Sequence, residues 1–528
     1  MRIGRIARAA ANGKTGGIAQ AVSWFALAVA AVLVVRLFLQ MCGPVMVLWD
    51  DVHIPYAVNF WSEPPLLVQI HRIASGQAAY LPPYTADSWT YGPFYGYLLA
   101  TLDRLFERKP SIVTLRLISI YIGYLTVVPL VLALVGLRLR RSPAGGWGST
   151  VIAASLTVTL FGILDMRALS FSALHPDVLT FLIVATELAA VVWYPLVRNR
   201  TALMAALCLV CFAGALTKLN LAPLIAFFVA ALALEGFLRW RIVTAIVGAF
   251  ALSLVIFYLL APSALREWTV VIPAHHWYAM PSYWLPKVWR EWTAGQRYQG
   301  SLLLGTLGAL AFLGARGRGR EAAAWACMLG GIFAAGYQGM AKQGGGVNDL
   351  WFLYVACLIP SGAAVDDLLR IGGERLAVLL TARAVTLAYL SLLVSSVPAA
   401  ANWPAQLPPE GLAALNDAAA RLRLLCEPGR KIIVTWFVDP FIDCPGAQLS
   451  TWDSVGEILI ARSHGYRARI FLDDPIGDAT LIDYLPNSVP HRFSTPHAET
   501  PVIMWEGYSY GYGGKELDVW TPRSQDAP

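Results

Sequence analysis

The sequence predicts an all-α polytopic membrane protein with a small α/β domain at its C-terminal end, and three observations carry that prediction. The chain is 57% hydrophobic and only 14% charged, with a mean hydropathy of +0.56, too apolar for a water-soluble protein of 528 residues. Apolar runs long enough to cross a bilayer core as helix recur from Ile18 to about Val397, separated by short charged loops. Beyond Ala399 the texture becomes Pro-rich and then mixed, as in a folded unit outside the bilayer.

About eleven spans are expected, near 18–42, 111–137, 148–164, 177–196, 201–216, 220–238, 242–261, 300–315, 322–339, 350–364 and 377–398. The first follows "MRIGRIARAAANGK", which is basic like the start of a signal peptide, but the run is long and no small-residue cleavage site closes it. It reads as a retained anchor. With this basic end in the cytoplasm, alternate loops should be rich in arginine. They are: Arg138, Arg140 and Arg141; Arg198 and Arg200; Arg239 and Arg241; Arg316, Arg318 and Arg320; Arg370, Arg375 and Arg383. The net charge of +7 is therefore a topology signal, and nucleic acid is excluded as a partner because no basic cluster sits on one soluble face. An odd number of spans puts residues 399–528 outside, on the periplasmic side of a plasma (inner) membrane, with the transmembrane domain spanning 1–398. Of seven cysteines only Cys426 and Cys444 lie in that outer part, an oxidising compartment, and they are predicted to form a disulfide.

The first outer loop, 43–110, opens on "VLWDDVHIPY". Asp50 and Asp51 are adjacent carboxylates that repel each other and resist burial, so their place at a membrane edge, with His53 beside them, suggests that their charge is used. A solvated loop is the alternative. In "PPLLVQIHRIASG", Leu66, Leu67, Ile70, Ile73 and Ala74 form one apolar helical face, and Phe94, Leu98, Leu102 and Phe106 form another. Two short amphipathic helices lying on the outer membrane surface are expected, against the alternative of a hairpin packed on the spans. A second outer loop, about 262–299, holds His275 and His276 and the interfacial aromatics Trp277, Tyr278, Tyr283, Trp284, Trp289 and Trp292. In the outer part, "EGLAALNDAAARLRLL" reads as a helix and "KIIVTWFV", "ARIFL" and "PVIMW" as strands.

Several motifs fail. "GKT" at Gly13 has Arg8 where a P-loop needs glycine, "CLVC" lies inside an apolar span, and there is neither an H-E-x-x-H nor a G-x-S-x-G sequence. What survives is a set of polar residues in the outer turns. Beside the acidic pair these are Asp165, Arg167, His175 and Asp177; Lys218 and Asn220; and Lys342, Gln343, Asn348 and Asp349. Ionisable groups at membrane depth are costly and face a cavity or one another, so their gathering on one side reads as a site. The chemistry that suits it is transfer from an anionic lipid-held donor. A carboxylate takes the proton of an acceptor hydroxyl or ligates a divalent ion, while Lys and Arg stabilise a departing phosphate. Arg36, in the outer half of the first span, is a further candidate for the phosphate, or a snorkelling anchor.

These residues resemble a known family. The long first outer loop with its acidic pair and amphipathic helices, "YGPFYGYLLATLDRLF" beginning at Tyr91, "HPDVL" opening a span, and "KQGGGVND" resemble the GT-C superfamily. Its members are polytopic glycosyltransferases that use polyprenyl-phosphate sugars, similar to protein O-mannosyltransferases and lipid A aminoarabinose transferases. The resemblance implies Asp50 and Asp51 as the catalytic base or a metal neighbour, with His53 as a third metal candidate. Lys218, Asn220, Lys342, Asn348, Arg167 and Arg36 are assigned to the donor phosphate by position. Asp349 after Asn348 departs from the more usual Asn-aromatic ending. The expected function is transfer of a sugar from a polyprenyl-phosphate donor to an unidentified acceptor. The rivals are a transporter or flippase of lipid-linked sugars and an inactive scaffold.

Overall fold

Helix α1 (Arg2–Val52) is 51 residues long, about 77 Å at 1.5 Å per residue, whereas its membrane-length apolar part is Gly17–Cys42. It therefore overshoots the bilayer, and the helix runs on through Gly43 and Pro44 to carry Asp50 and Asp51 on its final turn. This corrects the expectation that the acidic pair lies in a loop. The computed structural model describes residues 2–57, 63–85, 88–106, 110–141, 147–171, 174–276, 278, 281–290, 292–293, 297–342, 347–371, 376–397, 409–426, 432–434, 438–444, 447–449, 451–470, 480–484, 508–514 and 517–522.

After α1 come α2 (Glu63–Ala74), α3 (Pro93–Phe106), α4 (Ile112–Leu125), α5 (Val127–Arg141), α6 (Gly148–Phe171), α7 (Asp177–Trp193), α8 (Arg200–Thr217), α9 (Leu224–Leu234) and α10 (Trp240–Leu260). The short α11 (Ser263–Arg266) and α12 (Ile272–Ala274) precede α13 (Pro281–Arg290), α14 (Arg297–Ala315), α15 (Gly319–Ala341), α16 (Trp351–Arg370) and α17 (Leu376–Ser396). Each of the apolar runs read from the sequence coincides with helix. Among the described residues, eight helical segments are long and apolar enough to cross a membrane, and the chain is a multi-pass membrane protein. Three of the expected spans fall short of that standard: α7 has 17 residues, Leu219–Leu234 is short, and α15 is diluted by Gly330, Gly331, Gly336, Gln338 and Gly339.

Polar groups collect at the two ends of the bundle. At one end Arg140 pairs with Glu235 at 2.7 Å, and Arg141 with both Glu321 and Asp367 at 2.6 Å. There Ser149 donates to Asp366 at 2.6 Å, Arg370 pairs with Asp367, and Arg383 donates to the Leu368 and Ile371 carbonyls. This layer joins the starts of α6 and α15 to the ends of α5 and α16 and the residue after α9. Buried ions of this kind persist because each is paired. The opposite ends of α8, α15, α16 and the start of α7 meet in a second polar layer. Between the layers lies one apolar core that includes Leu134, Phe161, Phe181, Phe228, Trp325 and Phe352.

Helices α2 and α3 sit beside the second layer. Glu63 to Ile70 of α2 are all buried, and Leu66, Leu67, Tyr95, Leu99, Leu115 and Ile118 share one core with Val52, Ile54 and Val178. They are thus a hairpin packed on the spans. The expectation of a helix lying on the membrane surface is corrected for α2, which has no face left for lipid, whereas α3 keeps Tyr97 and Leu105 exposed.

Past α17, the described residues include α18 (Pro409–Arg423), α19 (Trp452–Ser463) and strands β1 (Ile432–Val434), β2 (Ala447–Leu449), β3 (Thr480–Tyr484), β4 (Tyr508–Gly514) and β5 (Leu517–Pro522). Strand β1 pairs in parallel with β2 and β3, while β5 pairs antiparallel with β3 and β4. The strand expected at "ARIFL" is not formed over 468–470, where Ile470 is buried among Tyr80, Trp268 and Ile458 instead of joining a ladder. "PVIMW" lies outside the described residues. Cys426 and Cys444 are disulfide-bonded, with Cα atoms 5.7 Å apart, as their placement predicts.

Candidate functional site

Helix α8 stops at Thr217 because Lys218 takes an extended backbone, φ −137° and ψ 117°, and the chain then turns through Leu219–Leu221. That turn buries the Lys218 side chain to 2% exposure. Its Nζ pairs with Asp177 and stands 3.0 Å from Asp349 Oδ1, with the Tyr91 ring centroid 5.1 Å away. Burial pushes the Lys218 ammonium down, but the Asp177 and Asp349 carboxylates more than offset it, so its pKa stands above the ordinary lysine value. Tyr91 can reach this position because its neighbour is glycine. A Cβ at Gly92 would lie 1.9 Å from the Leu216 carbonyl oxygen, and the Gly92 N–H donates to Thr217 O at 3.1 Å.

Asp177 is the first residue of α7, where the helix dipole favours an anion. Asn348 Nδ2 donates to its Oδ2 at 3.1 Å. His175 Nδ1 lies 3.0 Å from that same oxygen and 3.2 Å from the Asp177 N–H; protonated it donates to the carboxylate, unprotonated it accepts from the amide. Its ring meets the Tyr91 ring edge-on at 5.6 Å. Asp349 sits in the turn Val347–Leu350 ahead of α16, in space left by two glycines of α15. A Cβ at Gly339 would come 2.8 Å from Asp349 Cγ, and one at Gly336 would come 2.6 Å from Asp349 O. Asn220 Nδ2 donates to the Ala335 carbonyl at 2.9 Å, lacing the α8–α9 turn to α15.

Six residues singled out in the sequence thus converge: Tyr91, His175, Asp177, Lys218, Asn348 and Asp349. Two carboxylates face one ammonium, so the group is anionic unless His175 is protonated. Lys218 is committed to these carboxylates, and a phosphate at that point would have to compete with them.

The remaining candidates lie elsewhere. Asp50, Asp51 and Arg167 are on helical backbone in α1 and α6, with side chains outside the described residues. His53 is exposed, its Nδ1 2.7 Å from Trp49 O. Arg36 is exposed on the outside of the bundle and does not join the cluster. Asp165 is fully buried near the end of α6, and neither of its oxygens has a hydrogen-bond partner among the described residues; it lies beside Gly123 of α4. His275 faces Val271 O at 2.9 Å and the Tyr466 ring. Lys342 and His276 meet Glu457 of α19, with Lys342 Nζ 2.8 Å from Glu457 Oε2 and His276 Nδ1 3.4 Å from it. Among the described residues, no three His, Cys, Asp or Glu side chains gather to hold a metal ion.

Sequence reasoning missed Arg116, which organises the chain after the acidic pair. This residue of α4 is 1% exposed. It grips Glu63 through two hydrogen bonds of 2.8 and 2.7 Å and donates to the carbonyls of Val52, Ile54 and Tyr56 at 3.4, 2.5 and 2.6 Å. A lone arginine inside the apolar run "IVTLRLISIYIGYL" was the available signal. Glu457 and Asp439 were missed too. Both sit in water-compatible sequence where an acid attracts no notice.

An apolar groove of about 850 Å³ runs along α14, from Trp289, Trp292 and Arg297 at the end of the bundle that carries the polar cluster down past Phe333 and Leu353. No protein-family model matches the chain, and no curated protein matches it. Among solved structures, ArnT from Cupriavidus metallidurans bound to undecaprenyl phosphate is similar over 93% of this chain and 97% of its own, at 13% identity and a TM-score of 0.55. The apo form of ArnT is similar over 91% and 96%, at 13% identity and a TM-score of 0.54. The fold is of the GT-C type. In this GT-C fold the Lys218 cluster and the groove mouth share one end of the bundle, and the arginine layer occupies the other.

Proposed function

We propose that this GT-C chain is a membrane glycosyltransferase that moves a sugar from a polyprenyl-phosphate donor to a lipid, glycan or protein acceptor at the outer face of the plasma membrane. The observation that carries the proposal is the fold shared with ArnT, which has been solved with undecaprenyl phosphate bound. The apolar groove along α14 supports it, since its apolar lining suits a prenyl chain and Arg297 at its mouth suits a phosphate. In this reading eleven spans cross the bilayer, α4 and α5 together forming one, because α7, α9 and α15 run between the same two polar layers as the longer helices. Residues 1–398 then form the transmembrane unit, the N-terminus is cytoplasmic, and residues 399–528 lie outside.

Asp50 or Asp51 takes the proton of the acceptor hydroxyl as its oxygen attacks the anomeric carbon and the bond from that carbon to the phosphate oxygen breaks. With Lys218 held by two carboxylates and Lys342 by Glu457, positive charge for the leaving phosphate falls to Arg297 and Arg167. Asp50, Asp51 and His53 through Nε2 are the residues that would hold a divalent ion, which would add positive charge at the phosphate. The Lys218 cluster sits at helix ends, whereas a transporter would hold its polar contacts near the bilayer midplane, which favours the transferase over a flippase.

The test compares Asp50→Asn and Asp51→Asn with the parent in membranes of equal protein content, following a radiolabelled polyprenyl-phosphate sugar. At least one should lose on the order of 10² to 10⁴ in transfer rate. Near-normal transfer in both would remove the acidic pair from the chemistry, and no turnover by the parent on any such donor would leave the scaffold reading.

A further inference from the structure

Two acids of the C-terminal segment grip the two loops that flank the candidate site. Asp439 opens the turn Asp439–Phe441, and its carboxylate accepts the Ala57 N–H at 3.0 and 3.2 Å. Beside it, Tyr56 donates to Asn416 of α18 at 2.8 Å. Phe441 is fully buried in the core that holds Val52 and Ile54, and the Cys426–Cys444 disulfide fastens this turn to the end of α18. Arg116 holds the same stretch of chain from its other side. The backbone leaving the acidic pair is therefore clamped between α4 and the C-terminal segment.

Glu457 does the same for the second loop. Its carboxylate accepts from Lys342 at 2.8 Å, and its backbone carbonyl lies 3.0 Å from His276 Nε2. The backbone of Lys342 also bridges to Tyr278. Behind this contact Trp268, Ile272, Ile458 and Ala461 are buried together, and Tyr466 donates to Glu267 at 2.7 Å. Lys342 begins the "KQGGGVND" stretch that ends on Asn348 and Asp349. Neither Asp439 nor Glu457 belongs to the Lys218 cluster or to the acidic pair.

We infer that Asp439 and Glu457 are positioning residues, through which the C-terminal segment fixes the backbone after the acidic pair and Lys342, the residue at the head of the stretch that ends on Asn348 and Asp349. The pinning stands on these contacts alone; its effect on sugar transfer rests on the transferase reading above. Removing either acid should leave the bundle intact and loosen one loop. A misplacement of about 1 Å at a reacting group can lower a rate by up to about 100-fold.

The test uses the full chain in lipid nanodiscs and follows amide hydrogen exchange by mass spectrometry. Asp439→Ala should raise exchange over 52–57, and Asp439→Asn, which keeps an acceptor oxygen, should restore protection. Glu457→Ala should raise exchange over 274–278 and 347–350, and Lys342→Met should reproduce that from the other side while keeping a milder change in the C-terminal segment. Exchange within α7 and α16 should stay at the parent level in all four. On an undecaprenyl-phosphate-linked sugar, the two alanine variants should lose about 10- to 100-fold in kcat with KM within about twofold. Unchanged exchange in the named loops of folded Asp439→Ala and Lys342→Met proteins overturns the pinning. Loosened loops with parent kcat overturn the positioning role. Absence of turnover by the parent would instead count against the transferase reading, and the exchange measurements would still decide the pinning.

Discussion

Lys218 and Asp349 lie 131 residues apart in sequence and meet at 3.0 Å in a pocket where the lysine is 2% and the aspartate 8% exposed. The contact ties the α8–α9 turn to the start of α16, and Asp177 ties both to α7. An ammonium shared by two buried carboxylates is a joint, and the three elements it joins surround the candidate site.

Lys218→Met should therefore be more damaging than Asp349→Asn. Removing the lysine leaves Asp177 and Asp349 facing each other without a counter-ion, a loss of roughly 3–5 kcal/mol for a broken buried pair. Removing Asp349 leaves Lys218 its partner Asp177. Thermal unfolding in detergent measures both; a Lys218→Met protein as stable as the parent would rule out a structural joint here.

Arg116→Lys should loosen the chain after the acidic pair even though the charge is kept. A lysine cannot reproduce the planar fork that engages Glu63 through two bonds and three backbone carbonyls at once. Each lost bond to a charged group is worth about 1.5–3 kcal/mol. Faster chymotryptic cleavage between residues 52 and 72, at an unfolding temperature below the parent's, is the expected result. Parent-like cleavage would mean that Asp439 and the apolar core hold this stretch without Arg116.

The helices were legible in the sequence because burial in lipid demands long apolar runs, and the arginine layer was legible because charge marks the loops. Tyr91, His175, Asp177, Lys218, Asn348 and Asp349 were legible as members of one polar set for the same reason. What could not be read was the pairing within the set. Lys218 was assigned to a phosphate by its place in a turn, yet its partners are two aspartates, and only the three-dimensional approach of α7, α8 and α16 determines that. The sequence places Asp50 and Asp51 in a loop because the apolar run ends before them, but the helix carries on through Val52. Helix α2 was read as membrane-surface because its apolar stripe is wide; its polar residues Glu63 and Gln69 are buried as well, which no periodicity reveals.

The Cys426–Cys444 bond predicts a specific chemical behaviour. Protein isolated without reductant should leave both thiols unlabelled by alkylating reagents, while Cys42, which is exposed, should react once detergent admits the reagent. Replacing both cysteines by serine should cost roughly 3 kcal/mol for a loop of this length and expose the 438–444 turn to protease. Two free thiols in the parent would contradict both the bond and the oxidising compartment it implies.

The Asp439 contact predicts a pH dependence with a definite sign. Burial pushes the Asp439 carboxyl from its ordinary 3.8 up to about 7, against the opposing pull of the Ala57 N–H and the positive charge of Arg116, with the Glu63 carboxylate adding to the rise. Between pH 3.8 and about 7 the unfolded chain has released a proton that the folded chain still holds. The folded state binds more protons across that window, so stability falls as pH rises through it and levels off above about 7. Asp439→Asn has no proton to release and keeps an acceptor for Ala57. Unfolding temperatures of parent and variant, measured side by side at pH 5 and pH 8, should therefore converge toward pH 5 and separate in favour of the variant at pH 8. A constant difference across that range, or a parent that gains on the variant as pH rises, would show that Asp439 is ionised in the folded protein and that its bond to Ala57 is held as a full carboxylate.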